Sequence, residues 1–275
     1  MNNVELSIII PHYNSPDKLK RMLESIPMQD EIQVVVVDDI STQKLDELNE
    51  LKEVFSKVEF YENTPDNKCA GGARNLGIKK ARGKWILFGD ADDYFTADMF
   101  ETVEPFFDSE YDAVFFRMQA YIDDGSRKES DRCHYYTTLA KNYSKKYNKC
   151  KDSLLKKWKI APIEREMRMG WVSPCAKMVR RELIEREKIE FEFVRIAEDN
   201  FFAVQVGCKA KKVFAVDHLI YCVLDSEGSL SKTKDLETVK LCKDIWDRCL
   251  EYIEKNESKS LKFRATVAQK LWGIK

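Results

Sequence analysis

The chain has 275 residues, 44% of them hydrophobic, with 46 Lys and Arg against 47 Asp and Glu. That size and composition suit an α/β core with an appended subdomain. The formal charge of −1 excludes nucleic acid as a bulk partner, because proteins that track phosphate backbones carry a clear basic excess.

Residues 6–10 are a continuous apolar run closed by Pro11, the pattern of a strand buried on both faces of a parallel sheet. A helix follows, with Ser15 as its cap, Pro16 at its first position and one apolar stripe through Leu19, Met22, Leu23 and Ile26. Residues 32–37 form a second buried strand, rich in β-branched side chains, which stops at Asp38 and Asp39. Ser41 and Thr42 offer caps for a helix whose Leu45, Leu48, Leu51 and Phe55 share a face, and residues 58–61 read as a third strand. Gly71 and Gly72 open a helix that runs through Ala81. Residues 84–89 then give a fourth strand ending in Asp90, Ala91, Asp92 and Asp93. Thr96 caps a helix bearing Met99, Phe100, Val103 and Phe106, and residues 113–118 make a fifth strand.

This alternation predicts a doubly wound, mostly parallel sheet with right-handed crossovers over the first 118 residues. Ligands of such sheets bind beyond the carboxyl ends of the strands, where the acids at 38, 39, 90, 92 and 93 all fall. From 119 to about 162 the alternation gives way to Lys- and Tyr-rich sequence, read as an insertion. Residues 170–224 return to short strands and a helix. Residues 236–253 predict an amphipathic helix through Val239, Cys242, Trp246, Cys249 and Ile253, and 261–271 a further short one.

The eight cysteines form no Cys-x-x-Cys pair or His/Cys cluster, so free thiols in a reducing compartment are expected. The first residues lack a charged stretch followed by an apolar one, and no run of some 18 apolar residues occurs, so a cytoplasmic location is expected. Between Lys141 and Lys159 there are eight lysines against one acid, with Tyr143, Tyr147, Cys150, Leu154 and Trp158 on one helical face. Such a helix either rests on an anionic membrane or turns its stripe into the core.

The strongest chemical signal is Phe88-Gly89-Asp90-Ala91-Asp92-Asp93, three carboxylates within four positions on the turn that leaves a strand. Their mutual repulsion favours a cation among them, and a hard ion such as Mg²⁺ takes one or two carboxylates plus phosphate oxygens and water. A solvated acidic loop is the other reading of those residues alone.

Taken in order, Ser7-Ile8-Ile9-Ile10-Pro11-His12-Tyr13-Asn14, Val36-Val37-Asp38-Asp39-Ile40-Ser41-Thr42, Gly72-Ala73-Arg74-Asn75-Leu76-Gly77 and Asp90-Ala91-Asp92-Asp93 resemble the nucleotide-binding half of glycosyltransferase family 2. The resemblance implies the GT-A fold: an α/β, Rossmann-like, mostly parallel central sheet flanked by helices, here with a helical insertion and C-terminal helices. It divides the chain into a catalytic domain over 1–235 and a helical extension over 236–275. Within the former, 1–118 would bind nucleotide, 119–162 would be the insertion and 163–235 would bind acceptor. Pro11 and Tyr13 would line the base pocket, and Asp39 would accept a hydrogen bond from the base. An imide N–H suits that acceptor, so the expected donor is a UDP-sugar, with dTDP and GDP as alternatives. Arg74 would reach the base or the diphosphate, its other reading being a salt bridge to a loop acid. Asp90 would hold the ribose or donor sugar, and Asp92 would ligate Mn²⁺ or Mg²⁺.

Ala197-Glu198-Asp199-Asn200-Phe201-Phe202 resembles the family's Glu-Asp motif. Asp199 would then be the general base of an inverting hexosyl transfer, with Glu198 second to it. The acceptor implied is a saccharide or lipid-linked saccharide in polysaccharide or glycolipid assembly, with peripheral membrane contact as an accompanying option. Tyr221 with Ser229-Leu230-Ser231 resembles the family's closing segment near the donor phosphates, although Val223, Leu224 and Asp225 stand where many members carry a basic residue. Residues 170–178 resemble a segment containing Trp-Asn-Lys, of which only Lys177 matches. Trp171 stacks on a sugar or fills the core, and His218 is a metal ligand or structural. Two competing readings are a binding scaffold without turnover and a nucleotidyltransferase. The latter needs a Gly-rich basic loop after the first strand, where this chain has Pro11-His12-Tyr13-Asn14-Ser15.

Overall fold

A computed structural model describes residues 4–150, 153–226 and 235–257, with the side chains of 153–158 outside that set. Strand β1 (Leu6–His12) pairs in parallel with β2 (Ile32–Asp38) and β4 (Trp85–Phe88), and β2 pairs in parallel with β3 (Glu59–Glu62). Ile8, Ile9, Ile10 and Val34 to Val37 are buried, as a sheet covered on both faces requires. Helices α1 (Pro16–Glu24), α2 (Leu45–Val54) and α3 (Ala70–Lys80) make the crossovers.

The sheet then changes character. The short β5 (Tyr94–Phe95) leads to α4 (Met99–Val103) and β6 (Ala113–Ile122), and β7 (Glu129–Ser130) hangs off β6. Helices α5 (His134–Lys149) and α6 (Ser153–Gly170) precede β8 (Lys177–Arg180), α7 (Arg181–Glu187), α8 (Glu198–Lys209), β9 (Val213–Asp225) and α9 (Leu236–Asn256). The strand order is β3-β2-β1-β4-β8-β6-β9-β5. The fifth predicted strand therefore lies beyond β8, which runs antiparallel to both β4 and β6. The sheet is mixed, with its four-stranded parallel half built as expected.

Three helix caps differ from the sequence reading. Ser15 occupies the cap of α1, but its hydroxyl turns to the Tyr13 carbonyl. Ser41 donates to Asp38 at 2.5 Å, so α2 starts later, from Lys44 in the left-handed region at φ 55°. Asp98, not Thr96, occupies the cap position of α4, with no side-chain bond to the helix N–H groups, and the Thr96 hydroxyl donates to its carboxylate. In each case a side chain expected to satisfy helix N–H groups organises a neighbouring loop instead.

The helix expected over 141–159 is two helices, with Cys150 extended between them. Tyr143 is buried, stacks on Tyr147 at 5.9 Å and meets Phe214 edge-on, so the described part of the aromatic stripe faces the core. Leu154 and Trp158 belong to the side chains outside the described set. Trp171 is fully buried, and its Nε1 donates to the Cys175 carbonyl. Helix α9 packs Cys242, Ile245, Trp246, Cys249 and Ile253 inward, while Val239, expected on that face, is exposed in the first turn. The predicted helix over 261–271 and the Ser229-Leu230-Ser231 segment lie outside the described residues. Among the described residues no helix is long and apolar enough to cross a membrane.

One clamp fixes the loop before α8. Asn75 Nδ2 donates to the Phe191 carbonyl at 2.9 Å, and Phe191 N–H donates back to Asn75 Oδ1 at 2.8 Å. Asn75→Ala strands two buried backbone groups, so unfolding stability is expected to fall by about 2–4 kcal/mol, read from the urea midpoint.

Candidate active site

The carboxyl ends of β1, β2 and β4 open into a cleft of about 570 Å³, lined by Pro11, His12, Tyr13, Lys18, Asp39, Lys68, Cys69, Arg74, Asp90 and Asp92 and closed on one side by Phe193, Val194 and Arg195. Six of the eight residues singled out from the sequence thus meet in one cavity: Pro11, Tyr13, Asp39, Arg74, Asp90 and Asp92. Glu198 and Asp199 are not in its lining. They begin α8 beside it, and Glu198 is joined to the cleft through Arg74.

At one end, Asp39 accepts from Asn63 Nδ2 at 2.7 Å and from Cys69 N–H at 3.0 Å, both at Oδ1. Burial raises its pKa above its ordinary value, with those two bonds working against the rise. Tyr13 is 46% exposed, and Lys68 Nζ lies 5.0 Å from its ring centroid. Asp38 plays a different part. Its carboxylate takes His12 Nδ1 at 2.8 Å and the Ser41 hydroxyl and N–H. Burial would raise its pKa, but the bonds from His12 and Ser41 hold it below the usual value. Ser15 N–H donates to His12 Nε2, so the other ring nitrogen carries the proton given to Asp38. Asn14 completes the frame by accepting from the N–H groups of Thr42 and Gln43.

At the other end, the three acids of the turn after β4 have three separate fates. Asp93 is buried and accepts from the Tyr221 hydroxyl at 2.8 Å and from Leu224 N–H at 2.9 Å. Burial, then the charges of Asp90 and Asp92, push its pKa well up. Asp90 accepts from Arg74 Nη2 at 2.6 Å. Asp92 has a side chain 47% exposed, paired with Lys18 Nζ only at 3.9 Å. Its pKa is raised by burial first and by Asp90 second. Tyr221, expected near donor phosphates, is fully buried and pins this turn to β9 by also accepting from Asp90 N–H.

Across the cleft, Arg74 Nη1 donates to Glu198 Oε1 at 2.7 Å. Burial disfavours its charge, yet Asp90 and Glu198 hold it protonated beyond its ordinary value. Asp199 is pushed up to about 7 by burial, then by Glu198, while Arg74 pulls it down. Lys177, fully enclosed with Nζ on the Trp171 carbonyl at 2.7 Å, is lowered to about 7 by burial. His218 pairs with Asp98 at 2.7 Å on the exposed rim of α4.

The donor set fits a hard divalent cation that keeps phosphate oxygens and water in its shell. Asp92 offers one lightly paired carboxylate, and among the described residues no three His, Cys, Asp or Glu side chains gather into a cage of their own. Sequence reasoning missed Asn63, Lys18, Lys68, Cys69 and Arg195. Asn63 directly follows β3, so the carboxyl-end rule applied to that strand would have found it. The others sit on helix flanks and loops with no local signal.

A family model described as Glycosyl transferase family 2 matches residues 7–186. The glycosyltransferase GlyA of Streptococcus pneumoniae is 26% identical over 83% of this chain and 32% of its own length. The poly(ribitol-phosphate) beta-glucosyltransferase of Bacillus spizizenii is 27% identical over 82% of this chain and 33% of its own. The chain thus spans about a third of the length of these curated relatives. The crystal structure of S. aureus TarS 1-349 in complex with UDP-GlcNAc has a TM-score of 0.67 at 22% identity, over 96% of this chain and 70% of that one, which shows a shared fold.

Proposed function

The chain belongs to glycosyl transferase family 2, and on that premise we propose that it transfers a sugar from UDP to a saccharide or lipid-linked saccharide, with inversion at the anomeric carbon. One observation carries the reading: a single cleft holds a stacking face and an acceptor carboxylate at one end, Tyr13 and Asp39, and a lightly paired acid, Asp92, at the other. Its volume of about 570 Å³ is in the range of cavities that enclose small-molecule ligands.

On this reading Tyr13 stacks on the uracil, Pro11 walls the pocket, and Asp39 accepts the imide N–H on the oxygen opposite its two internal bonds. Asp90 orients the ribose or donor sugar. Asp92 would hold Mn²⁺ or Mg²⁺, which when bound would stabilise the charge that accumulates on the leaving diphosphate. Asp199 takes the proton of the acceptor hydroxyl, whose oxygen attacks from the face opposite the diphosphate, and the bonding pair of the broken bond leaves with UDP. Residues 1–118 then bind nucleotide and 163–235 present the acceptor side. The exposed lysines of α5, Lys141, Lys145, Lys146 and Lys149, are the surface through which the chain would rest at the inner face of a membrane carrying a lipid-linked acceptor.

The test is thermal shift against UDP, GDP, dTDP, UDP-glucose and UDP-GlcNAc, with and without Mn²⁺. A ligand at a hundredfold excess over its Kd stabilises by about 2.7 kcal/mol. The uridine series is expected to raise Tm and Mn²⁺ to enlarge the rise; no shift with any nucleotide refutes the reading.

A further inference from the structure

We propose that Arg21 is a positioning residue, reaching from α1 to hold the backbone of the acidic turn after β4 so that the Asp92 carboxylate stands where a cation meets it. The inference rests on the reading of Asp92 as the metal's protein anchor.

Lys18, Arg21 and Ser25 are spaced by three and four along α1 and its C-cap, so they share one flank of the helix beside its buried stripe of Leu19, Met22 and Leu23. All three reach the chain that leaves β4. Lys18 Nζ lies 3.9 Å from Asp92 Oδ2, Arg21 Nη2 donates to the Asp92 carbonyl at 2.6 Å, and Ser25 Oγ accepts from Phe95 N–H at 3.0 Å. The packing beneath is close: a Cβ on Gly89 would meet Met22 Cε at 3.1 Å and the Phe95 ring at 3.3 Å.

Arg21 lies in the last turn of α1, where a cation ordinarily serves the helix's own carbonyl end. Its one hydrogen bond among the described residues instead crosses 71 positions to a single carbonyl. The turn is pinned from the opposite side at Asp90 and Asp93. Asp90 N–H and the Asp93 carboxylate both bind the Tyr221 hydroxyl, Asp93 also takes Leu224 N–H, and the Asp90 carboxylate accepts from Arg74. Between those anchors, the peptide joining Asp92 to Asp93 is held at both of its polar ends: its N–H closes the turn on the Asp90 carbonyl at 3.0 Å, and its carbonyl belongs to Arg21. The Asp92 carboxylate has no short bond of its own, so the peptide that carries it decides where it stands.

Charge and position predict opposite results. Arg21 brings a positive charge toward the place of the cation, so by Coulomb repulsion alone its removal would tighten metal binding. As the support behind a metal ligand, its removal weakens that binding.

The experiment titrates Mn²⁺ into the full chain loaded with UDP and reads what the metal adds to Tm, for the wild type, Arg21→Met and Ser25→Ala. Arg21→Met keeps an unbranched stem and removes the donor. It is expected to raise the half-saturating Mn²⁺ concentration about tenfold, the lower end of the cost of losing a partner behind a metal ligand, while the Tm rise given by UDP alone keeps its wild-type size. Should Arg21→Met fail to fold, Ser25→Ala decides: it frees the Phe95 end of the same grip, and the half-point rises by about threefold. An unchanged or lowered half-point in the deciding variant overturns the proposal. So does an equal loss of the rise given by UDP alone, which marks a general loosening of the cleft. A wild-type chain to which Mn²⁺ adds nothing refutes the metal reading itself, so the two failures are distinguishable.

Discussion

Asp199→Asn is expected to lower kcat by about 10² to 10⁴ while leaving UDP-sugar affinity unchanged, read by paired turnover and calorimetric titrations. Asn is close in size but cannot take a proton, and Asp199 lies outside the lining of the cleft proposed for the nucleotide, so binding has no reason to change. With its pKa pushed up to about 7, Asp199 passes from acid to base across neutral pH, where a general base works best. The wild-type rate should therefore climb through pH 7. The same shift has a cost in stability. The folded chain holds this proton above 3.8, the ordinary value, so the contribution is complete below about pH 4 and lost as pH rises through about 7. The Asn variant has no such proton to lose, and its Tm should fall less between pH 5 and pH 8 than that of the wild type. A variant that turns over normally, or that shares the wild-type pH slope of Tm, contradicts the assignment.

The parallel half of the fold was legible in the sequence because burial on both faces leaves continuous apolar runs: residues 6–10, 32–37 and 84–89 became β1, β2 and β4. The gathering of Asp39, Asp90 and Asp92 followed from where those strands end, whereas Pro11, Tyr13 and Arg74 were expected beside them from the family resemblance. What local pattern could not carry was pairing at a distance. Arg74 meets Glu198 124 positions away, and nothing in either motif names the other. Asp92 and Asp93 are identical in sequence terms, yet Tyr221, 128 positions from Asp93, takes one of them out of play. The place of β8 between β4 and β6 depends on how the chain returns from α6, which no periodicity records. Ser41 failed as a helix cap for a related reason: Asp38 competes for its hydroxyl, and that contest is decided by the fold of the loop.

That separation of fates makes Asp92 the acid whose removal should matter most to the donor. Asp90 is held by Arg74 through one oxygen and Asp93 lies beneath Tyr221 and Leu224, so Asp92, 47% exposed and 3.9 Å from Lys18, is the acid of the three with no short side-chain bond for a cation to compete with. Asp92→Ala is expected to abolish the extra Tm rise that Mn²⁺ adds to UDP-sugar binding, and to reduce kcat by about 10² to 10³, the usual effect of losing one electrostatic partner of a developing anion. The Asp39 end of the cleft is untouched by this change, so UDP alone should still stabilise the variant. The outcome separates two physical pictures. If the cation is held chiefly by diphosphate oxygens and water, with Asp92 as its one protein anchor, the metal increment vanishes and the nucleotide increment persists. An Asp92→Ala variant that keeps both increments would mean that the cation is anchored elsewhere.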